Sequence, residues 1–159
     1  MGAGSGYARL AVIAAVVAVV GSFVNAAAHA AGPSIGYVKS VAGASSIVRS
    51  GDRSNAAAGQ PLFEKDVLET GGNGALGVTL KDNTLLSLGP NSSLTLETYL
   101  LRPDQENYSL VTRITRGTIQ YVSGLIAKLS PDSVEIKTPA ATLGVHGTRL
   151  LIKVDADAD

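Results

Sequence analysis

Turn-forming residues recur about every ten positions along most of this chain, and between them apolar residues return at every second position. That spacing is what short strands separated by tight turns require, and it excludes a helical core. The punctuation is explicit: Gly51-Asp52, Gly59-Gln60-Pro61, Gly71-Gly72-Asn73-Gly74, Lys81-Asp82-Asn83, Gly89-Pro90-Asn91, Ser130-Pro131-Asp132 and Thr138-Pro139. Leu76, Val78 and Leu80 fall on one face, and Leu86 with Leu88, Leu94 with Leu96, Ile119 with Tyr121, and Leu150, Ile152 and Val154 repeat the phase. The pattern predicts strands over Ile35–Val41, Ser46–Ser50, Ala75–Lys81, Thr84–Leu88, Ser93–Thr98, Tyr108–Thr115, Thr118–Ser123, Ser133–Thr138 and Thr148–Val154. The one helix-like run, Leu96 to Leu101, carries β-favouring Thr98 and Tyr99 and meets Pro103, so it reads as strand or loop. The fold expected is a single all-β domain of short antiparallel or coiled strands, a sandwich or a short solenoid.

Part of the apolar composition lies elsewhere. Residues 1–30 hold one basic residue, Arg9, an apolar run from Leu10 to Val20 and a small-residue ending at Ala28-His29-Ala30. This is the layout of a cleavable secretory leader, and the run is short for a membrane-spanning helix. The organisation expected is therefore a leader over 1–30, a β-domain over 31–154 and an acidic tail over 155–159. Cysteine is absent, so neither a disulfide nor a thiol-linked lipid is available and packing alone must hold the exported domain. Removing Arg9 from 13 basic residues leaves 12 against 13 acidic ones, a charge of −1 that gives no basic field for nucleic acid phosphates. A periplasmic location follows.

Several segments resemble the FecR-domain family, periplasmic β-domains named for iron-citrate regulation. Thr138-Pro139 followed by Val145-His146-Gly147-Thr148 is similar to that family's threonine-proline turn and valine-arginine-glycine-threonine segment. Gly59-Gln60-Pro61-Leu62, the run Asp66 to Gly71, Leu80-Lys81-Asp82-Asn83 and Arg116-Gly117 resemble its other recurring parts. Two positions depart from the pattern. His146 replaces the usual arginine and with it a planar five-donor fork, and Asn83 follows Asp82 where glycine is usual. Asparagine tolerates positive φ, so Asp82-Asn83 is expected to keep the tight turn. The resemblance implies a regulatory module, yet a leader stands where the family's best-known members carry a cytoplasmic segment that handles a sigma factor. Anti-sigma activity is accordingly not expected.

The residues offer little chemistry. His146 is the only histidine beyond the leader, which leaves zinc without ligands, and no cofactor is expected. No Gly-x-Ser-x-Gly elbow accompanies the serines, so no catalytic residue is assigned. Glu64 with Asp66, and Asp104 with Glu106, read as solvated loop carboxylates. Asp155-Ala156-Asp157 lacks the glycine and distal glutamate of a calcium loop. Pro139 is expected to turn the chain, Gly147 to sit at a crowded crossing and Thr148 to begin the last strand. The two Leu-Gly-Val tripeptides at Leu76 and Leu143 hint at a doubled β unit whose Gly71–Gly74 loop and Thr138-Pro139 corner would share one mouth.

Two functions fit these residues. One is a non-catalytic sensor or assembly module that binds a protein in the periplasm or membrane through sheet edges, with peripheral membrane contact and oligomeric state left open. The other is a binder of a small ligand or of cell-wall glycan.

Overall fold

The computed structural model describes residues 32–156, so the expected leader and the end of the acidic tail lie outside the described residues. Twelve strands run β1 Gly36–Ala42, β2 Ser45–Arg49, β3 Asp52–Asn55, β4 Pro61–Leu62, β5 Val67–Thr70, β6 Ala75–Leu80, β7 Leu85–Leu88, β8 Ser93–Arg102, β9 Asn107–Val122, β10 Val134–Lys137, β11 Thr142–Gly144 and β12 Arg149–Val154. A five-residue helix, α1 Leu125–Leu129, follows β9. All strands belong to one curled sheet, ordered β3-β2-β5-β8-β9-β7-β6-β1-β4, with β10 and β12 also on β9 and β11 beyond β10. The all-β expectation is met. The strands form neither two separate sheets nor stacked coils: β9 belongs to both halves, and among the described residues only the β9–β10 pair is parallel.

The reason lies in β9. Leu110, Thr112 and Ile114 are buried at even positions, whereas Ile119 and Tyr121 are buried at odd ones. A strand alternates strictly, so both sets can face one core only if the chain changes phase between them. It does so at Arg116-Gly117, where Gly117 takes φ +92° and the register with β8 slips. Before the corner β9 lies between β8 and β10. After it, β9 lies between β7 and β12. The two expected strands on either side of Arg116-Gly117 are thus one bent strand, and the bend brings Ile47, Leu68, Leu94 and Ile114 of one half into a single core with Val38, Val78, Leu86 and Ile119 of the other.

The corner is clamped by hydroxyls. Ser92 lies against it, fully buried: the Thr118 amide donates to Ser92 Oγ at 3.0 Å, and the Ser92 amide donates to Thr70 Oγ1 at 2.9 Å. Thr70 in turn donates to the Gly89 carbonyl at 2.6 Å. Ser92 and Thr70 therefore satisfy backbone groups that the bend removes from the ladder.

A second irregularity sets the inward face of β8. Its register with β9 shifts between Leu96 and Thr98, a bulge at Glu97, so Leu94, Leu96 and then Tyr99 all point inward. The run Leu96–Leu101 is strand, as its Thr and Tyr imply.

Several elements were not foreseen. β3 carries no apolar residue, and all four of its residues are exposed. β4 has two residues and exists because Leu62 pairs with Gly36. β5 is a short central strand holding Leu68, and β11 forms a hairpin with β10. α1 is too short to show a helical stripe; it buries Ile126.

Candidate functional site

The Thr138-Pro139 segment is a hairpin turn. The Thr138 amide donates to the Ala141 carbonyl at 2.8 Å, and Thr138 Oγ1 accepts the Ala141 amide at 3.1 Å, closing β10 onto β11 over Pro139 and Ala140. Beyond β11 the chain is irregular from Val145 to Thr148. Val145 is buried and its amide donates to the Val134 carbonyl, anchoring the link. His146 is exposed, with Nε2 3.3 Å from Asp132 Oδ1. Gly147 is not at a crowded crossing: a Cβ placed there would meet no atom within 4 Å. Thr148 precedes the last strand instead of opening it. The Gly147 carbonyl accepts from Ser123 Oγ, and the Thr148 carbonyl from the Ser123 amide, so this link holds by its backbone. No group of three or more metal-ligating side chains occurs among the described residues.

Asp82 and Asn83 do form a tight turn between β6 and β7. Asn83 takes φ +66°, and its amide donates to the Leu80 carbonyl at 2.9 Å. Asp82 is an interior tie. Its carboxylate accepts from the Thr84 amide at 3.1 Å, from Thr84 Oγ1 at 2.7 Å and from the Ile126 amide at 3.2 Å, which fastens the start of α1 to the turn.

Two buried tyrosines, Tyr99 and Tyr121, lie near Asp82, and neither hydroxyl makes a hydrogen bond. Burial pushes both above the usual tyrosine range, and the Asp82 carboxylate opposes their ionisation as well. A tyrosine raised in the folded state keeps its proton after the unfolded chain has ionised. Its contribution is therefore complete below about pH 10 and is lost as pH rises beyond that. Denaturation midpoints should fall steeply above about pH 10, and Tyr121→Phe should flatten that fall while changing stability little at neutral pH. An equally steep fall in the variant would contradict the assignment.

Asp66 was expected to be a solvated loop carboxylate. It is fully buried and holds Arg49 by two bonds, Nε to Oδ1 at 2.8 Å and Nη2 to Oδ2 at 2.7 Å. The Phe63 amide also donates to it at 2.9 Å, and the guanidinium stacks 4.4 Å from the Phe63 ring centre. Accepting these bonds is what makes a buried carboxylate tolerable. The Asp66 hydrogen bond raises the Arg49 guanidinium above its ordinary value.

Arg49 and Phe63 of this cluster line a cavity of about 1010 Å³, together with Ile35, Lys81, Tyr99 and Leu101 among others. Neither the Gly71–Gly74 loop nor the Thr138-Pro139 corner lines it. The tripeptides differ too: Leu76 and Val78 are core residues of β6, whereas Leu143 is exposed on β11.

The outward face of the β8 half is compensated within itself. Glu97 pairs with Arg113 and Lys137, and Glu69 with Arg53. The Arg113 hydrogen bond holds the Glu97 carboxyl below the usual range, Lys137 acting in the same sense against partial burial. The edges are different. β3, β11 and β12 each have one side without a strand partner among the described residues, and Leu143 and Leu151 stand exposed there, Leu151 at 73%.

The FecR protein family matches residues 66–159, from Asp66 through the corner and the hairpin turn to the end of the chain. The chain belongs to the FecR family. No curated protein and no solved structure matches it. The structure gives physical roles to the FecR-like segments singled out in the sequence: Asp66 and Thr70 are a buried ion-pair member and a corner clamp, Arg116-Gly117 is the corner, and Thr138-Pro139 is a hairpin turn. The roles of Asp66, Thr70 and Ser92 were not read from sequence. The only available signal is that Thr70 adjoins Gly71 and Ser92 follows the Gly89-Pro90-Asn91 turn, where side chains satisfy backbone groups; nothing local marks Asp66.

Proposed function

We propose that this chain is an exported, non-catalytic FecR-family domain that works in the periplasm by protein contact, as a sensor or assembly module beside a membrane partner. FecR-family membership suggests a periplasmic sensing or regulatory role. The observation that carries the contact mode is that β3, β11 and β12 each have an edge without a strand partner among the described residues, with Leu143 and Leu151 exposed. An unpaired edge offers a row of amides and carbonyls to an incoming strand, and the side chains beside it select which strand is accepted. The charged outward face has satisfied its own ion pairs and offers less. Affinity capture from a periplasmic fraction tests this: the folded domain should retain a defined protein partner, and charged substitutions at Ser54 on β3 or Leu143 on β11 should release it. Retention of no protein by the folded domain would sink the proposal.

The cavity lined by Ile35, Phe63, Tyr99 and Leu101 supports a second reading, a small-ligand or glycan site, because it combines apolar walls with the charged groups of Arg49 and Lys81. A ligand bound there would raise the melting temperature in a screen of cell-wall fragments and chelating small molecules.

A further inference from the structure

β12 hydrogen-bonds to β9 along one side, and its other side has no strand partner among the described residues. Its side chains alternate cleanly. Leu150, Ile152 and Val154 turn toward the core, while Arg149, Leu151 and Lys153 face solvent. Leu151 is the most exposed of the large apolar side chains among the described residues. Arg149 has no carboxylate within ion-pair distance among those residues, and Asp155, one position past the strand, reaches Lys153 at 3.0 Å. A free edge ending in this pattern is a template for another strand.

We propose that this edge pairs with β12 of a second copy of the chain, antiparallel across a two-fold axis at Ile152. The proposal rests on the reading that the free edges are contact surfaces, and it names the partner for one of them. A two-fold axis perpendicular to the sheet keeps core-facing residues on the core side, so only residues of like parity can stand opposite one another. Three central registers satisfy that condition. Centring on Leu151 sets Arg149 against Lys153 of the second copy, and centring on Lys153 sets two lysines against each other; like charges directly opposite are unfavourable. Centring on Ile152 sets Arg149 against Asp155 of the second copy, twice by symmetry. The same register lays Leu151 along the methylenes of Lys153 and sets Leu150 against Val154. The charges that would otherwise protect an exposed edge thereby select one register with one partner.

Sedimentation of the purified chain from about 1 to about 500 µM tests this, since one strand pair is a small interface and its dimer should dissociate on dilution. The expected result is a reversible monomer–dimer equilibrium. Arg149→Asp and Asp155→Arg should each weaken it by about tenfold or more, because each turns two facing attractions into repulsions, and the two changes together should restore it. Both positions are exposed, so unchanged melting curves will show that the variants fold. A monomer at every concentration overturns the proposal, as does self-association that ignores the single changes or fails to recover in the double one. A monomeric chain whose edges still capture other proteins refutes self-pairing alone; a dimer that captures nothing refutes only contact with a different protein.

Discussion

Replacing Gly117 by alanine should cost about 4 kcal/mol and lower the melting temperature by roughly 15 °C, or prevent folding altogether. Two penalties combine at this site. The φ of +92° is one that a side-chain-bearing residue adopts at a cost of about 1 to 3 kcal/mol. In addition, a Cβ would stand 2.4 Å from Ser92 Cα, a backbone atom that cannot rotate away. Relief would require moving Ser92, and with it the bonds to Thr70 and Thr118 that hold the corner. Gly51 is the control. It has nearly the same φ, +90°, with nothing within 4 Å of its Cβ position, so Gly51→Ala should show the strain alone, about 1 kcal/mol. Equal losses at the two glycines, measured by chemical denaturation, would mean that crowding at the corner contributes nothing.

The second large effect is at Asp82. Asp82→Ala strands two buried amides, those of Thr84 and Ile126, together with the Thr84 hydroxyl. Each unsatisfied group costs about 1 to 3 kcal/mol, partly relieved if water enters, so a total of about 3 kcal/mol is expected. The damage should be concentrated where α1 meets the β6–β7 turn. Hydrogen exchange ought to show the Ile126 amide deprotected while the amides of Leu94 and Ile114 keep the protection set by global stability. Loss below 1 kcal/mol, or uniform deprotection, would contradict a local tie.

These two sites mark the boundary of what the amino-acid order reveals. The β6–β7 hairpin is legible because Leu76, Val78 and Leu80 alternate, Leu86 and Leu88 answer them, and Asp82-Asn83 supplies a turn between. β9 reads as two strands because its alternation changes phase between Ile114 and Ile119, and periodicity cannot distinguish a bend within a strand from a turn between two. β3 and β4 are invisible since their order comes from the backbones of β2 and β1, with no apolar pattern of their own. The burial of Asp66 and the tie made by Asp82 are hidden from the sequence for a related reason, whereas Glu64, Asp104 and Glu106 are exposed as their loop positions imply. Asp66 finds Arg49 from 17 positions away and Asp82 finds the Ile126 amide from 44, distances over which local composition says nothing of burial. Gly147 looked crowded because glycine inside an apparent strand often marks a close approach, whereas the chain there has already left the sheet.

Folding one sheet around a single corner buries its concave face and leaves strand edges as the unsatisfied surface, and the proposed function depends on that consequence. Photocrosslinking in the living cell addresses it most directly, with a reactive side chain placed in turn at Ser54 on β3, Leu143 on β11, Leu151 on β12 and, as face controls, Val67 and Thr95. Adducts should form from the edges and not from the controls, with Leu151 giving a species of twice the chain's mass and β3 or β11 joining a different protein. Adducts confined to the face positions, or none from any edge while the protein is folded and exported, would contradict the account.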